Sequence, residues 1–145
     1  MTAYQTCARY VALFETLTPQ NIAQLEPLLS EQVRFRDPFN DVCGFAAVQR
    51  LLEDMFERTR DPRFEVSHWS LDGECGYVLW TFTAFLPVLG SWQVEGVSRL
   101  TFDDQGRIAS HVDYWDAGGL YEKVPLLGRV IRLIRRRLGR VQQAA

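Results

Sequence analysis

From Arg63 to Trp115 the chain is a succession of four long runs dense in aromatic and β-branched side chains: RFEVSHWSL, CGYVLWTFTAF, WQVEGVSRLTF and RIASHVDYW. Such residues favour a pleated, half-buried surface. Asp72-Gly73, Pro87 to Gly90 and Gln105-Gly106 supply turn chemistry between the runs, so consecutive hairpins are expected. A sheet of that extent must bury one face, and the segments able to cover it lie upstream. Tyr10, Leu13, Phe14 and Leu17 recur at helical spacing within Thr2 to Leu17, and Thr18-Pro19 opens a second short helix to about Leu29. Phe45, Val48, Leu51, Leu52, Met55 and Phe56 mark a third helix that ends near Asp61-Pro62. Between the second and third helices lies a strand in which Val33 and Phe35 oppose Arg34 and Arg36, and it stops at Asp37-Pro38. This order predicts an α+β domain: a cone-shaped, curved antiparallel sheet wrapped around N-terminal helices. The mouth of such a cone is the default place for a hydrophobic small molecule.

Length and charge limit the remaining choices. A chain of 145 residues, 47% hydrophobic, accommodates one core, which we place at residues 1–117. Those residues hold nine Arg against 17 Asp or Glu, whereas residues 118–145 hold seven Lys or Arg and one Glu. The tail reads as a basic amphipathic helix: Leu120, Val124, Leu127, Ile131, Ile134, Leu138 and Val141 form an apolar stripe with Val130 alongside, and Pro125 opens the main helix. Arg129, Arg132, Arg136 and Arg140 fall opposite the stripe, and Arg135 and Arg137 flank it. Two readings follow: a helix lying peripherally in a membrane interface, or one packed across the acidic body or a dimer partner. Nucleic acid is not expected, because Leu, Ile and Val stand between the arginines where base-reading groups would be needed. The N-terminus lacks a basic start followed by an apolar signal segment, and no apolar run is long enough to span a bilayer, so a cytoplasmic location is expected. Cys7, Cys43 and Cys75 have no CxxC spacing and read as reduced thiols. With only His68 and His111 beside them, no metal site is expected, and no glycine-rich phosphate loop points to a cofactor.

Candidate chemistry converges on the last strand. Alternation puts Ala109, His111, Asp113 and Trp115 on one face and Ile108, Ser110, Val112 and Tyr114 on the other. Carboxylates and an imidazole facing a cavity lined by Trp115, Tyr10 and Trp92 would be partly desolvated, which moves carboxylate pKa values toward neutrality. Phe35, which shares a face with Val33 on the first strand, is a further candidate to touch a ligand.

The order of elements, together with ARYVAL, FRDPF and RLTFDDQGRIASHVDYWD, resembles the nuclear transport factor 2-like superfamily, which includes ketosteroid isomerases and SnoaL-like polyketide cyclases. The resemblance covers nearly the whole chain to Asp116. It implies the cone-shaped fold, a pocket inside it and homodimers formed through the outer face of the sheet. In ketosteroid isomerases a first-helix tyrosine polarises the substrate carbonyl and an aspartate before a proline moves the proton; Tyr10 and Asp37 stand at the matching positions. Where those enzymes place a second, protonated aspartate, in EGVSRLTF, this chain has Ser98, which the resemblance makes a further candidate to touch a ligand. HVDYWD instead resembles the cyclase pattern, in which an acid–base aspartate and a neighbouring histidine sit on the last strand. The implied activity is a cofactor-independent acid–base isomerisation, cyclisation or dehydration of a lipophilic carbonyl compound. Asp37 and Asp113 would transfer protons, and His111 and Tyr10 would orient or polarise. The alternative is a protein that only binds a ligand in the same cone. Each residue also has a structural reading: Asp37 capping a turn, His111 and Asp113 satisfying each other, Tyr10 packing in the core, His68 a sheet residue, and Arg34 and Arg36 a solvated face or ion pair.

Overall fold

The computed structural model describes residues 1–139, which divide into two compact units, Met1–Trp115 and a second that begins at Asp116. In the first, helix α1 (Ala3–Glu15) starts at Thr2. The Thr2 hydroxyl accepts from Gln5 N at 3.2 Å and the Gln5 side chain accepts from Thr2 N at 3.0 Å, a reciprocal cap for donors a helix start leaves unpaired. The expected second short helix is a 3₁₀ helix, Ile22–Leu28, which begins later than Thr18-Pro19. The Asn21 side chain accepts from Thr18 N and closes a turn first, and Pro27 has no N–H with which to continue an α-helical ladder. Helix α2 (Phe45–Arg58) buries Val48 and Leu52.

Six strands form one sheet: β1 (Leu29–Arg36), β2 (Asp41–Cys43), β3 (Arg60–Asp72), β4 (Cys75–Leu86), β5 (Gly90–Phe102) and β6 (Ile108–Trp115). Their order is β2-β1-β6-β5-β4-β3. The three hairpins from β3 to β6 are antiparallel as expected, but β1 and β6 run parallel, with Phe35 opposite His111. Three-residue β2 is too short to show an alternation. The third helix ends at Arg58, near Asp61-Pro62 as expected, and Asp61-Pro62 itself lies inside β3. This strand is at the sheet edge, its register slips between Arg60 and Arg63, and Asp61 has φ +50°, an irregularity that leaves room for a residue without an N–H. The inner face of β4 contributes Val78, Trp80, Phe82 and Ala84 to the core, where they join Tyr10, Leu25, Val33, Phe35, Leu52 and Leu100. Tyr77 and Phe85 point the other way and are exposed. The three cysteines are free thiols.

The second unit carries α3 (Gly118–Tyr121) and α4 (Leu127–Leu138). Arg135 binds them together through the Asp116 carboxylate and, at 3.1 Å, Glu122 Oε1. Arg132 adds a bond to the Glu122 carbonyl. Pro125 falls in the connection and not in the first turn of α4, which starts after Leu126 at φ +70°. Arg140 and Val141 of the expected amphipathic pattern lie outside the described residues. Among the described residues, no helix is long and apolar enough to cross a membrane.

Candidate functional site

Sheet register assembles a single buried chain of hydrogen bonds. Ser98 on β5 stands directly opposite Asp113 on β6, so its hydroxyl reaches Asp113 Oδ1 at 2.5 Å. His111, two residues back on the same face, brings Nε2 to the same oxygen at 2.6 Å. Tyr10 from α1 closes on His111 Nδ1 at 2.8 Å. At the opposite end Trp80 Nε1 donates to Ser98 Oγ at 2.8 Å. The protonation pattern follows from the donors available. Burial, and then the Asp113 charge, push the Tyr10 hydroxyl well above its ordinary range, so it stays a donor to Nδ1. Nε2 then carries the imidazole proton and donates it to Asp113.

Both of these bonds to Asp113 fall on Oδ1. Oδ2 takes none from the described residues, and the side chain keeps 14% of its surface exposed. Among described residues Thr6 Oγ1 is the one buried side-chain polar atom without a partner, so Asp113 Oδ2 retains contact with solvent. One oxygen is therefore anchored and the other is available.

Aromatic rings surround the chain. Phe35 stacks on the His111 imidazole at 4.3 Å between centroids, and Phe14 lies 4.8 Å from Tyr10 and 5.9 Å from His111. Phe39, Trp115, Trp92, Phe82 and Phe64 continue as a file of edge-to-face and tilted contacts, with Trp92 and Trp115 at 5.4 Å. Neither indole N–H of Trp92 or Trp115 bonds a described residue, in contrast to Trp80. A cavity of about 290 Å³ opens beside this cluster. Phe14, Leu17, Met55, Phe56 and Phe64 give it apolar walls, and Glu15, Asp61 and Arg63 stand on it as charges. Tyr10, His111 and Asp113 do not line that cavity; Phe14 and Phe64 belong to both.

The Tyr10–His111 bond spans the sequence that a family model recognises: the SnoaL-like domain model matches residues 10–111. The chain belongs to the SnoaL-like family. In this SnoaL-like domain Asp113 and Trp115 lie just past the matched segment. No curated protein matches the chain. Among solved structures it is similar to a candidate polyketide cyclase from Pseudomonas putida, with 19% identity, a TM-score of 0.71, and 86% of this chain and 98% of that one covered. It is also similar to an epoxide hydrolase of the LEH-like kind from M. tuberculosis, at 18% identity and TM-score 0.66, covering 91% and 94%. A third is a protein of ketosteroid isomerase-like fold from Catenulispora acidiphila, at 11% identity and TM-score 0.69, covering 81% and 90%. At these identities the likeness establishes the nuclear transport factor 2-like fold.

The other residues singled out by the sequence of this SnoaL-like chain divide sharply. Asp37 ends β1 and turns the chain into β2: Oδ1 accepts from Phe39 N and Asn40 N, both at 2.7 Å, and the Asn40 amide reaches both oxygens at 3.1 Å. No hydrogen bond among the described residues joins it to the Asp113 chain. Arg34 forms a two-pronged ion pair with Asp41, at 2.9 and 2.7 Å, which holds that carboxyl below its usual range. His68 is exposed on β3. The residue that sequence reasoning missed is Trp80. It faces Gly96 on β5, and a Cβ there would collide with the indole; the missing side chain is what lets Trp80 lie across to Ser98. The signal was available: counting outward from the turn at Pro87 to Leu89 pairs Trp80 with Gly96.

Proposed function

We propose that this SnoaL-like domain is a cofactor-independent acid–base catalyst for a lipophilic carbonyl compound, with Asp113 as the proton-transfer group. The observation that supports this is the division of labour at its carboxylate, in which Ser98 and His111 fix Oδ1 while Oδ2 keeps access. Oδ2 takes a proton from the carbon beside a carbonyl, and the C–H electron pair moves onto the carbonyl oxygen as an enolate. Returning the proton at another carbon isomerises the substrate; attack of the enolate carbon on a second carbonyl closes a ring. His111 and Ser98 stabilise the carboxylate and hold its orientation. Tyr10 acts at one remove, because its hydroxyl is taken up in fixing the imidazole tautomer. The N–H groups of Trp92 and Trp115, which bond no described residue, are the donors offered to a carbonyl oxygen. Asp37 serves the β1–β2 turn in this reading.

A second reading, a binder without turnover, draws support from that same commitment of Tyr10 and Asp37 to structural bonds. One experiment separates the two. 2-Tetralone, an aryl-fused ketone with acidic α-hydrogens, is incubated with the protein in D₂O and exchange at the α-carbon is followed by NMR. Exchange above buffer that is abolished in Asp113→Asn and kept in Asp37→Asn supports the catalyst. Saturable binding without exchange supports the binder. Exchange lost in Asp37→Asn would restore the two-carboxylate scheme that the sequence suggests.

A further inference from the structure

Helix α4 concentrates two features that its own unit does not use. At 100° per residue, Leu127, Val130, Ile131, Ile134 and Leu138 occupy one arc, and Arg129, Arg132 and Arg136 occupy the opposite side. Leu127, Val130 and Ile134 are exposed by 43%, 53% and 47%, and Leu138 by 82%. Exposed apolar side chains in one continuous arc are costly in water, at roughly 25 cal/mol per Å² left uncovered.

The charge on the other side says what would cover that arc. From Leu127 to Leu138 there are five arginines and no acidic residue. Arg135 is spent on Asp116 and Glu122, and Arg132 on a backbone carbonyl. Arg129, Arg136 and Arg137 make no ion pair among the described residues. An acidic protein groove would offer carboxylates at fixed points, whereas these three point charges fan out around a helix with an apolar arc beside them. A planar surface that is anionic at its face and apolar beneath matches both features at once, and the twelve-residue helix, about 18 Å long, is too short to span it.

We propose that α4 is a membrane-interface helix that seats Leu127, Val130, Ile131, Ile134 and Leu138 at the headgroup–acyl boundary of an anionic bilayer, with the arginines reaching lipid phosphates. The aliphatic stems of Arg135 and Arg137, at the margins of the arc, cover its edges while their guanidinium groups stay at the surface. This assignment is independent of the catalytic reading.

Co-sedimentation of the full chain with vesicles tests it. One set is pure phosphatidylcholine and the other contains one-third phosphatidylglycerol, each at low and high salt. Binding to the anionic set at low salt that weakens sharply with salt is expected. Replacing Arg129, Arg136 and Arg137 together by Gln should lower the partition coefficient about 100-fold, since each basic residue near an anionic surface contributes about fivefold. The double change Val130→Gln and Ile134→Gln should also lower it at least tenfold. All these side chains are exposed, so circular dichroism of the variants should be unchanged. Three results would overturn the proposal: no binding to anionic vesicles at low salt; binding insensitive to the Val130 and Ile134 changes, which means electrostatic adsorption only; or capture by poly-glutamate in place of vesicles, which makes α4 a site for an acidic polypeptide.

Discussion

Tyr10→Phe removes a single oxygen and tests whether the buried chain has the bonds described. The ring that packs against Phe14 is retained, so the packing contribution of this residue stays intact. The loss is the partner of His111 Nδ1, on a side chain only 5% exposed. A buried acceptor left without its donor costs about 1–3 kcal/mol. A chain of this length loses roughly 2–4 °C of melting temperature per kcal/mol, so the midpoint should fall by about 2–12 °C. In a His111→Leu background the same substitution removes a hydroxyl that has already lost its acceptor, and it should be neutral or stabilising. The difference between backgrounds is the coupling energy, about 1–3 kcal/mol. Calorimetry gives the four stabilities, and ¹⁵N NMR of the wild-type imidazole reads the tautomer, with the proton expected on Nε2. A Tyr10→Phe cost below about 0.5 kcal/mol, or a proton on Nδ1, would refute the donor assignments. Turnover separates the roles further: in the proposed reading Tyr10 acts through His111, so Tyr10→Phe should lower exchange activity partially.

Three further outcomes are expected. Burial raises the Cys7 thiol to about 11 from its ordinary 9.0; below pH 9 this leaves stability unaffected, and as pH rises from 9 through 11 the unfolded chain loses its thiol proton first, so stability falls across that window. A Cys7→Ala variant should show a flatter alkaline limb, and the Cys7 thiol should resist a thiol reagent at pH 8 while exposed Cys43 reacts. Gly96→Ala drives a Cβ into the Trp80 indole and should cost about 1–3 kcal/mol by denaturant titration, an effect that shrinks when Trp80 is also Leu; equal costs in both backgrounds would discount the contact. A homodimer through the outer face is expected from Tyr114, Val97 and Leu79, which stand in one row across β6, β5 and β4, so sedimentation velocity should show a dimer that Tyr114→Glu weakens.

Much of the architecture was readable because its signals are local. Alternation in RIASHVDYW put His111, Asp113 and Trp115 on one face, and the inward positions of β4 follow the same period. The parallel pairing of β1 with β6 left no local mark, since it joins strands separated by most of the chain, and β2 is shorter than one alternation. The second short helix was legible, but it starts later than Thr18-Pro19 suggests because Asn21 closes a turn first. Within the site, Ser98 was singled out for its place in a family pattern, while its hydrogen bonds to Trp80 and Asp113 depend on cross-strand register.

The two carboxylates offered as equals by the sequence are separated by the kind of backbone that carries them. An aspartate in a turn finds N–H groups of its own loop within reach. Asp37 takes those of Phe39 and Asn40, Asp103 takes those of Gln105 and Arg107, and Asp116 takes that of Gly118. Local donors of that kind leave a carboxylate oxygen occupied within its own turn. Asp113 has no such supply, because the N–H groups around it in mid-sheet belong to the strand ladder. Its partners have to come from side chains, His111 along the strand and Ser98 across it, and both settle on one oxygen. The second oxygen is left over for geometric reasons, and this pairing of one fixed and one open oxygen is what the proposed proton transfer would use. The acid–base reading proposed for this SnoaL-like domain therefore rests on mid-strand Asp113 beside His111, and the Asp37→Asn variant tests whether the strand-end carboxylate shares that role.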